Sequence, residues 1–249
     1  MEKYNKDIIN QNRHMFIYDD GIDRRVFLKQ LENDYPVKLD EYSPMAIYMD
    51  DLELPEVEEG KIVDKIKINI LVREYLIYSI AYKIMKNICE QIDINLLSDR
   101  INNVLFWLDK RNDSSNAQVD DLKKLLQDLE TSVNFYVESY INFLKTDKIN
   151  LDMDKLPISY IEIQRFARDI KKFLNNNAYF GIIIDQQGNL SKELQQAVNW
   201  LITKRINGNI SVKVFTKEED WKTYCDLDGI FAENVHDYES IKINRFTNQ

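Results

Sequence analysis

Glycine and proline are scarce in this chain, 6 and 4 among 249 residues, which counts against an all-β design with a tight turn at every hairpin. Long helices with few breaks are expected instead. The two cysteines, Cys89 and Cys225, are too few and too isolated for a disulfide framework or a thiolate zinc site, and read as reduced thiols of an intracellular protein. The two histidines, His14 and His236, lie far apart in sequence and read as packing or hydrogen-bonding residues rather than catalysts. No long stretch is free of charge: the most apolar, 66–89, is broken by Arg73, Glu74, Lys83 and Lys86, which a bilayer span would hardly tolerate. The N-terminus, Met-Glu-Lys-Tyr-Asn-Lys-Asp, has no apolar signal core, so the expected address is the cytoplasm, with no membrane association. Positive charge is also in deficit. A net charge of −9 and a pI near 4.9 argue against a generic binder of phosphate backbones, so nucleic acid is not the expected partner.

What is present is ample apolar content, 44%, and a stretch around which the chain can be organised. Residues 179–190 read Tyr-Phe-Gly-Ile-Ile-Ile-Asp-Gln-Gln-Gly-Asn-Leu. The run 180–184 is apolar without alternation, as in a strand covered on both faces, and it stops on a carboxylate, Asp185. A polar turn and an amphipathic helix over 191–205 follow. Strand, loop and helix in that order are the unit of open α/β sheets whose ligands sit beyond the carboxyl ends of the strands. The same order is expected near the start: a strand at 15–18, the loop Asp19-Asp20-Gly21-Ile22-Asp23, then a helix with Val26, Phe27, Leu28 and Leu31. A second strand, 45–49, also ends on acids, Asp50 and Asp51. The segment 52–61 carries Glu53, Glu56, Glu58 and Glu59 around Pro55 and reads as solvated acidic loop.

From residue 62 the spacing is helical for about eighty residues. A largely apolar helix over 62–90, a stripe through Leu97, Ile101, Val104, Leu105 and Leu108, a polar turn at 109–116 and a helix over 119–144 are expected, with two long helices antiparallel. Ser159 and Glu162 form a capping-box pattern for a helix over Ile163, Phe166, Ala167, Ile170 and Phe173. A strand at 210–215, a short helix at 218–225 and a closing strand at 241–243 complete the pattern. The organisation expected is an α/β core from 1–61 and 151–249, with a helical insertion at 62–150.

The opening strand, loop and helix, with a later apolar strand ending in Asp, is the frame of a P-loop nucleotide-binding fold. A working loop runs Gly, four residues, Gly, Lys, then Ser or Thr, so that backbone N–H groups close on phosphates, the Lys reaches them and the hydroxyl holds Mg²⁺. In register, Asp19 stands at the first Gly, Arg24 at the second, Arg25 at the Lys and Val26 at the hydroxyl. After Asp185 the usual second acid is Gln186, whose amide can position a water but cannot take its proton. The vestigial nucleotide-site candidates are therefore Gly21, Asp23, Arg24, Arg25, Asp185 and Gln186.

The later segments, Phe-Gly-Ile-Ile-Ile-Asp-Gln-Gln-Gly-Asn-Leu, Arg-Ile-Asn-Gly-Asn-Ile-Ser-Val-Lys-Val-Phe-Thr, Trp-Lys-Thr-Tyr and His-Asp-Tyr-Glu-Ser-Ile from His236, resemble bacterial AAA-type ATPases related to origin-recognition proteins. The resemblance is weak over 14–50 and better over 160–245. It implies a P-loop fold, with the family's sensor position on the strand at 210–215 and Gly, Lys and Thr in the loop where this chain has Asp19, Arg25 and Val26. Because the sequence ends soon after the expected strand at 241–243, the helical lid usual after an AAA core is expected to be absent. The combined expectation is a three-layer, P-loop-like parallel sheet with an all-helical insertion. It would serve as a non-catalytic, pseudo-ATPase module in regulation or assembly through a protein partner or its own copies, with no cofactor. The alternative is a divergent Mg²⁺-dependent NTPase or phosphotransferase, using ATP and a metal held by Asp19, Asp20, Asp50 and Asp185. For that alternative, Tyr48 to Pro55 also resembles a response-regulator phosphoacceptor region, although the spacing from Asp19 and Asp20 is short by about one β/α unit.

Overall fold

The computed structural model of the chain describes residues 8–19, 24–104, 106–107, 118–148, 160–186, 190–204, 208–234 and 236–243. Apolar residues run together in the strands β1 (Met15–Asp19), β2 (Met45–Met49) and β3 (Phe180–Asp185), and alternate with polar ones in β4 (Ile210–Thr216) and β5 (Glu239–Ile243). Every residue of β2 and β4 is buried; β2 is apolar without alternation, as a strand covered on both faces should be, whereas β4 buries Ser211 and Lys213 between its apolar residues. The five make one sheet in the order β2-β3-β4-β1-β5, with all pairs parallel. Parallel neighbours need crossovers, and helices supply all but the one from β4 to β5: α1 (Arg24–Asp34), α2 (Lys65–Gln91), α3 (Val119–Thr146), α4 (Tyr160–Leu174) and α5 (Lys192–Thr203). The α/β class and the parallel sheet are as the sequence led us to expect.

Strand periodicity divides the core in two. Phe16, Ile47, Ile182, Ile184, Val212 and Val214 face a thick helical layer, while Ile17, Ala46, Tyr48, Ile183 and Phe215 face Phe27, Leu28 and Leu31 of α1, with Ile8 and Ile9. The handedness of crossovers accounts for this split. The step from β1 to β2 runs across the sheet in one direction, and the steps β2 to β3, β3 to β4 and β4 to β5 run in the other. Right-handed connections therefore put α1 on one face and the later helices on the opposite one. Beside β1 the chain leaves the carboxyl ends of neighbouring strands toward opposite faces, which is where such sheets open a crevice.

The helices of 62–150 share one continuous apolar core with the sheet. Asp64 caps α2 by accepting from the backbone of Ile66 and Lys67. Tyr78 stacks on Tyr136 at 5.2 Å and Tyr82 bonds Glu130 at 3.2 Å, so α2 and α3 run antiparallel, as expected. Two expected helices differ. Residues 94–104 wind as a 3-10 segment (Ile94–Val104), because a stripe at spacings of three and four, Leu97, Ile101 and Val104, suits either winding. Of 218–225 only Glu218–Asp220 makes a 3-10 turn. The chain then straightens where Trp221 packs edge-on against Phe16 and Lys222 N–H donates to Gln195 Oε1 at 2.7 Å. The expected turn at 109–116 and the Ser159 cap lie outside the described residues.

At the outer side of β2 the ladder is closed by neighbouring chain. Ala46 N–H donates to Tyr35 O at 2.8 Å, and Tyr48 N–H donates to Glu32 Oε1 at 3.1 Å. Burial raises the Glu32 pKa.

Inside the sheet, Lys213 of β4 is fully buried and donates to Gln11 O at 2.6 Å and to Arg13 O, which ties the segment before β1 to the sheet. Burial lowers its pKa to about 7. His14 Nδ1 accepts Val212 N–H at 3.1 Å. Burial, and then the Lys213 charge, push the His14 pKa down to about 4 against the opposing pull of Asp237. Protonated Nδ1 would face the Val212 donor with a second donor. Because the folded pKa lies below the unfolded one, this stabilisation is complete above about pH 6.5 and is lost as the pH falls toward 4. It amounts to about 3 kcal/mol. His14→Asn keeps an acceptor that does not titrate, so its unfolding free energy should fall less than the parent's between about pH 7 and pH 4.5. Denaturant titration at each pH checks this.

Candidate functional site

The parity that splits the core also sorts the residues at the carboxyl edge. Ile183 faces α1, so Asp185, two residues on, emerges on the same side, as do Tyr48 and Asp50 from β2. Arg24, at the first turn of α1, reaches Asp185: its guanidinium lies 3.5 Å from the carboxylate, and the two side chains are 5% and 7% exposed. The same Nη1 approaches Phe215 O at 3.5 Å. The Tyr48 hydroxyl lies 3.5 Å from Asp185 Oδ2, and burial followed by the Asp185 charge pushes the Tyr48 pKa up to about 12.

Arg25, which the loop register sets at the lysine, is exposed and borders a cleft of about 240 Å³ with Tyr48, Asp50, Leu52 and Asp185. The residue before it is the one turned inward. Val26, at the hydroxyl position, is 64% exposed. Gln186 is buried but on the opposite side of the sheet, where its amide donates to Asp220 O at 3.3 Å and its carbonyl oxygen has no hydrogen-bond partner. Thr216, at the end of β4, turns its hydroxyl to Lys217 O at 2.8 Å.

Asp50 meets a cation from outside the loop. Lys83 of α2 donates to it at 2.5 Å and stands 3.9 Å from Asp51. Partial burial works against the charge on both partners, yet the contact still lowers the Asp50 pKa and raises that of Lys83. Among the described residues no three Asp, Glu, His or Cys side chains lie together as a metal site. Asp20, Gly21 and Asp23 lie outside the described residues, as does the Asp19 side chain, so the structure brings together Arg24, Arg25, Asp50 and Asp185 of the candidates. Lys83 and Tyr48 are additions. A charge within a largely apolar stretch of helix was the signal for Lys83, since such a charge needs a nearby partner.

Against this geometry stands a family comparison: a model described as ORC-CDC6-like matches residues 28–249. The chain belongs to the ORC-CDC6-like family. Comparison with curated proteins and with solved structures gives no match. The resemblance to origin-recognition-related AAA proteins is thereby borne out, and it extends over the helices of 62–150 as well as the later strands. The match begins inside α1, so the residues aligned with the phosphate loop precede it.

In this ORC-CDC6-like protein the Arg24 and Asp185 charges meet as a buried ion pair. Removing one member of a buried pair costs about 3–5 kcal/mol, whereas an apolar pair of similar volume is close to neutral. Arg24→Met should destabilise by roughly that range, and Arg24→Met with Asp185→Leu should recover most of the loss. Urea unfolding of both single variants and the double variant closes the cycle.

Proposed function

We propose that the chain is a non-catalytic, AAA-like module that acts as a regulatory or assembly component through protein contacts. One observation carries the reading: the Arg24–Asp185 ion pair at the carboxyl edge. Arg24 stands where the loop would need its second glycine, a residue without a side chain at the point of closest approach to phosphate. Its guanidinium neutralises Asp185, the carboxylate a metal would otherwise use. Exposed Val26 offers no oxygen to a metal, and Gln186 is committed to the Asp220 carbonyl. These side chains do not suit a magnesium–nucleotide complex, and we derive no chemical step through one.

Calorimetric titration with ATP and ADP, with and without Mg²⁺, should give no heat at millimolar nucleotide, and the purified chain should release no phosphate from ATP. Turnover that is abolished by Asp185→Ala overturns the reading. A divergent Mg²⁺-dependent NTPase or phosphotransferase draws on one observation of its own, that Asp50, Asp185 and Arg25 border the same cleft. That reading expects magnesium alone to raise the melting temperature of the parent and not of Asp50→Asn, measured by differential scanning fluorimetry.

A further inference from the structure

Beyond the nucleotide edge, the acidic segment after β2 builds a second and larger cavity. It is drawn across α2 and α3 by tyrosines: Tyr75 OH donates to Asp51 O at 3.4 Å and accepts Glu53 N–H at 3.1 Å, and Tyr140 OH donates to Pro55 O at 3.1 Å. Held this way, the segment forms one wall of a groove of about 880 Å³ between α2 and α3. Val133, Val137 and Ile141 of α3 and the rings of Tyr75 and Tyr82 make its sides apolar. Asp51, Glu53 and Glu130 supply its charge, and none of the described residues that line it is basic. At its floor Ser79 is only 6% exposed, with its hydroxyl against that of Tyr75. The Tyr75 hydroxyl beside it is engaged with the wall.

We infer that this groove docks a basic, amphipathic segment of a partner protein, with aliphatic side chains against α3 and lysine or arginine groups on Asp51, Glu53 and Glu130. The charge and shape of the groove point to that occupant. The charge is of one sign around an apolar trough, which is the complement of a cationic amphipathic helix. The net charge of −9 adds a long-range attraction for such a segment. The inference rests on the reading that the chain acts through protein contacts, but it requires nothing of the nucleotide edge.

The test uses the full chain and a fluorescent helical peptide of Leu-Lys-Lys-Leu-Leu-Lys-Leu repeats, read by polarisation. The peptide should saturate one site. Glu53→Lys with Glu130→Lys should weaken binding by at least about tenfold. Asp128→Lys with Glu138→Lys makes the same change in net charge at exposed α3 positions away from the groove and should leave binding nearly unchanged. Equal weakening by the two double variants, equal binding of the peptide with every lysine replaced by glutamate, or equally effective competition by spermidine would each overturn the inference. Failure here leaves the non-catalytic reading standing if nucleotide titration is silent, so the two are judged by separate measurements.

Discussion

The first strand has no neighbours of its own in sequence. β1 pairs on one side with β4 and on the other with β5, so residues 15–19 find their ladder only when 210–216 and 239–243 have arrived. The fold depends on that closure. Lys213 and His14 secure it from the opposite direction, the lysine binding the carbonyls before β1 and the imidazole taking an amide from β4. Both side chains carry depressed pKa values because the contacts that hold β1 in the middle of the sheet are buried. Long-range parallel pairing costs loop-closure entropy before any contact repays it, so these polar stitches act where the chain has most to lose.

Closure around β1 also creates the candidate site. Only because β1 lies next to β4, with β3 beyond, does the helix after β1 bring Arg24 to the end of β3. A cation from the first crossover and an anion from the late strand then neutralise each other at the edge where related folds receive a ligand. The ORC-CDC6-like assignment covers residues 28–249, which include Asp185, while Arg24 lies just before them.

Much of this was legible before any coordinates. β2 falls on the expected residues 45–49, and β3 ends on Asp185, since unalternated apolar runs closed by acids leave little freedom for a buried strand. What could not be read was orientation about an axis. One residue along a helix turns a side chain by about 100°, so a register that set Arg25 at the lysine and Arg24 at a glycine could not tell which arginine would meet Asp185. The same limit on a strand is a reversal of face: Gln186 follows Asp185 in sequence but belongs to the other layer. Lys83 was visible as a charge in an apolar helix, while its partner Asp50 lies 33 residues earlier and only the packing of α2 on β2 joins them.

The closed outer side of β2 has a consequence for how copies of this chain can meet. A parallel sheet with an open flank is a template on which another molecule's strand can be laid. Here the Ala46 and Tyr48 amides are already taken by Tyr35 and by Glu32 of α1, a helix from the neighbouring layer. A second molecule approaching that flank finds a helix end and its carboxylate rather than a row of donors. Growth of the sheet into a fibre is blocked on that side by the fold's own connectivity.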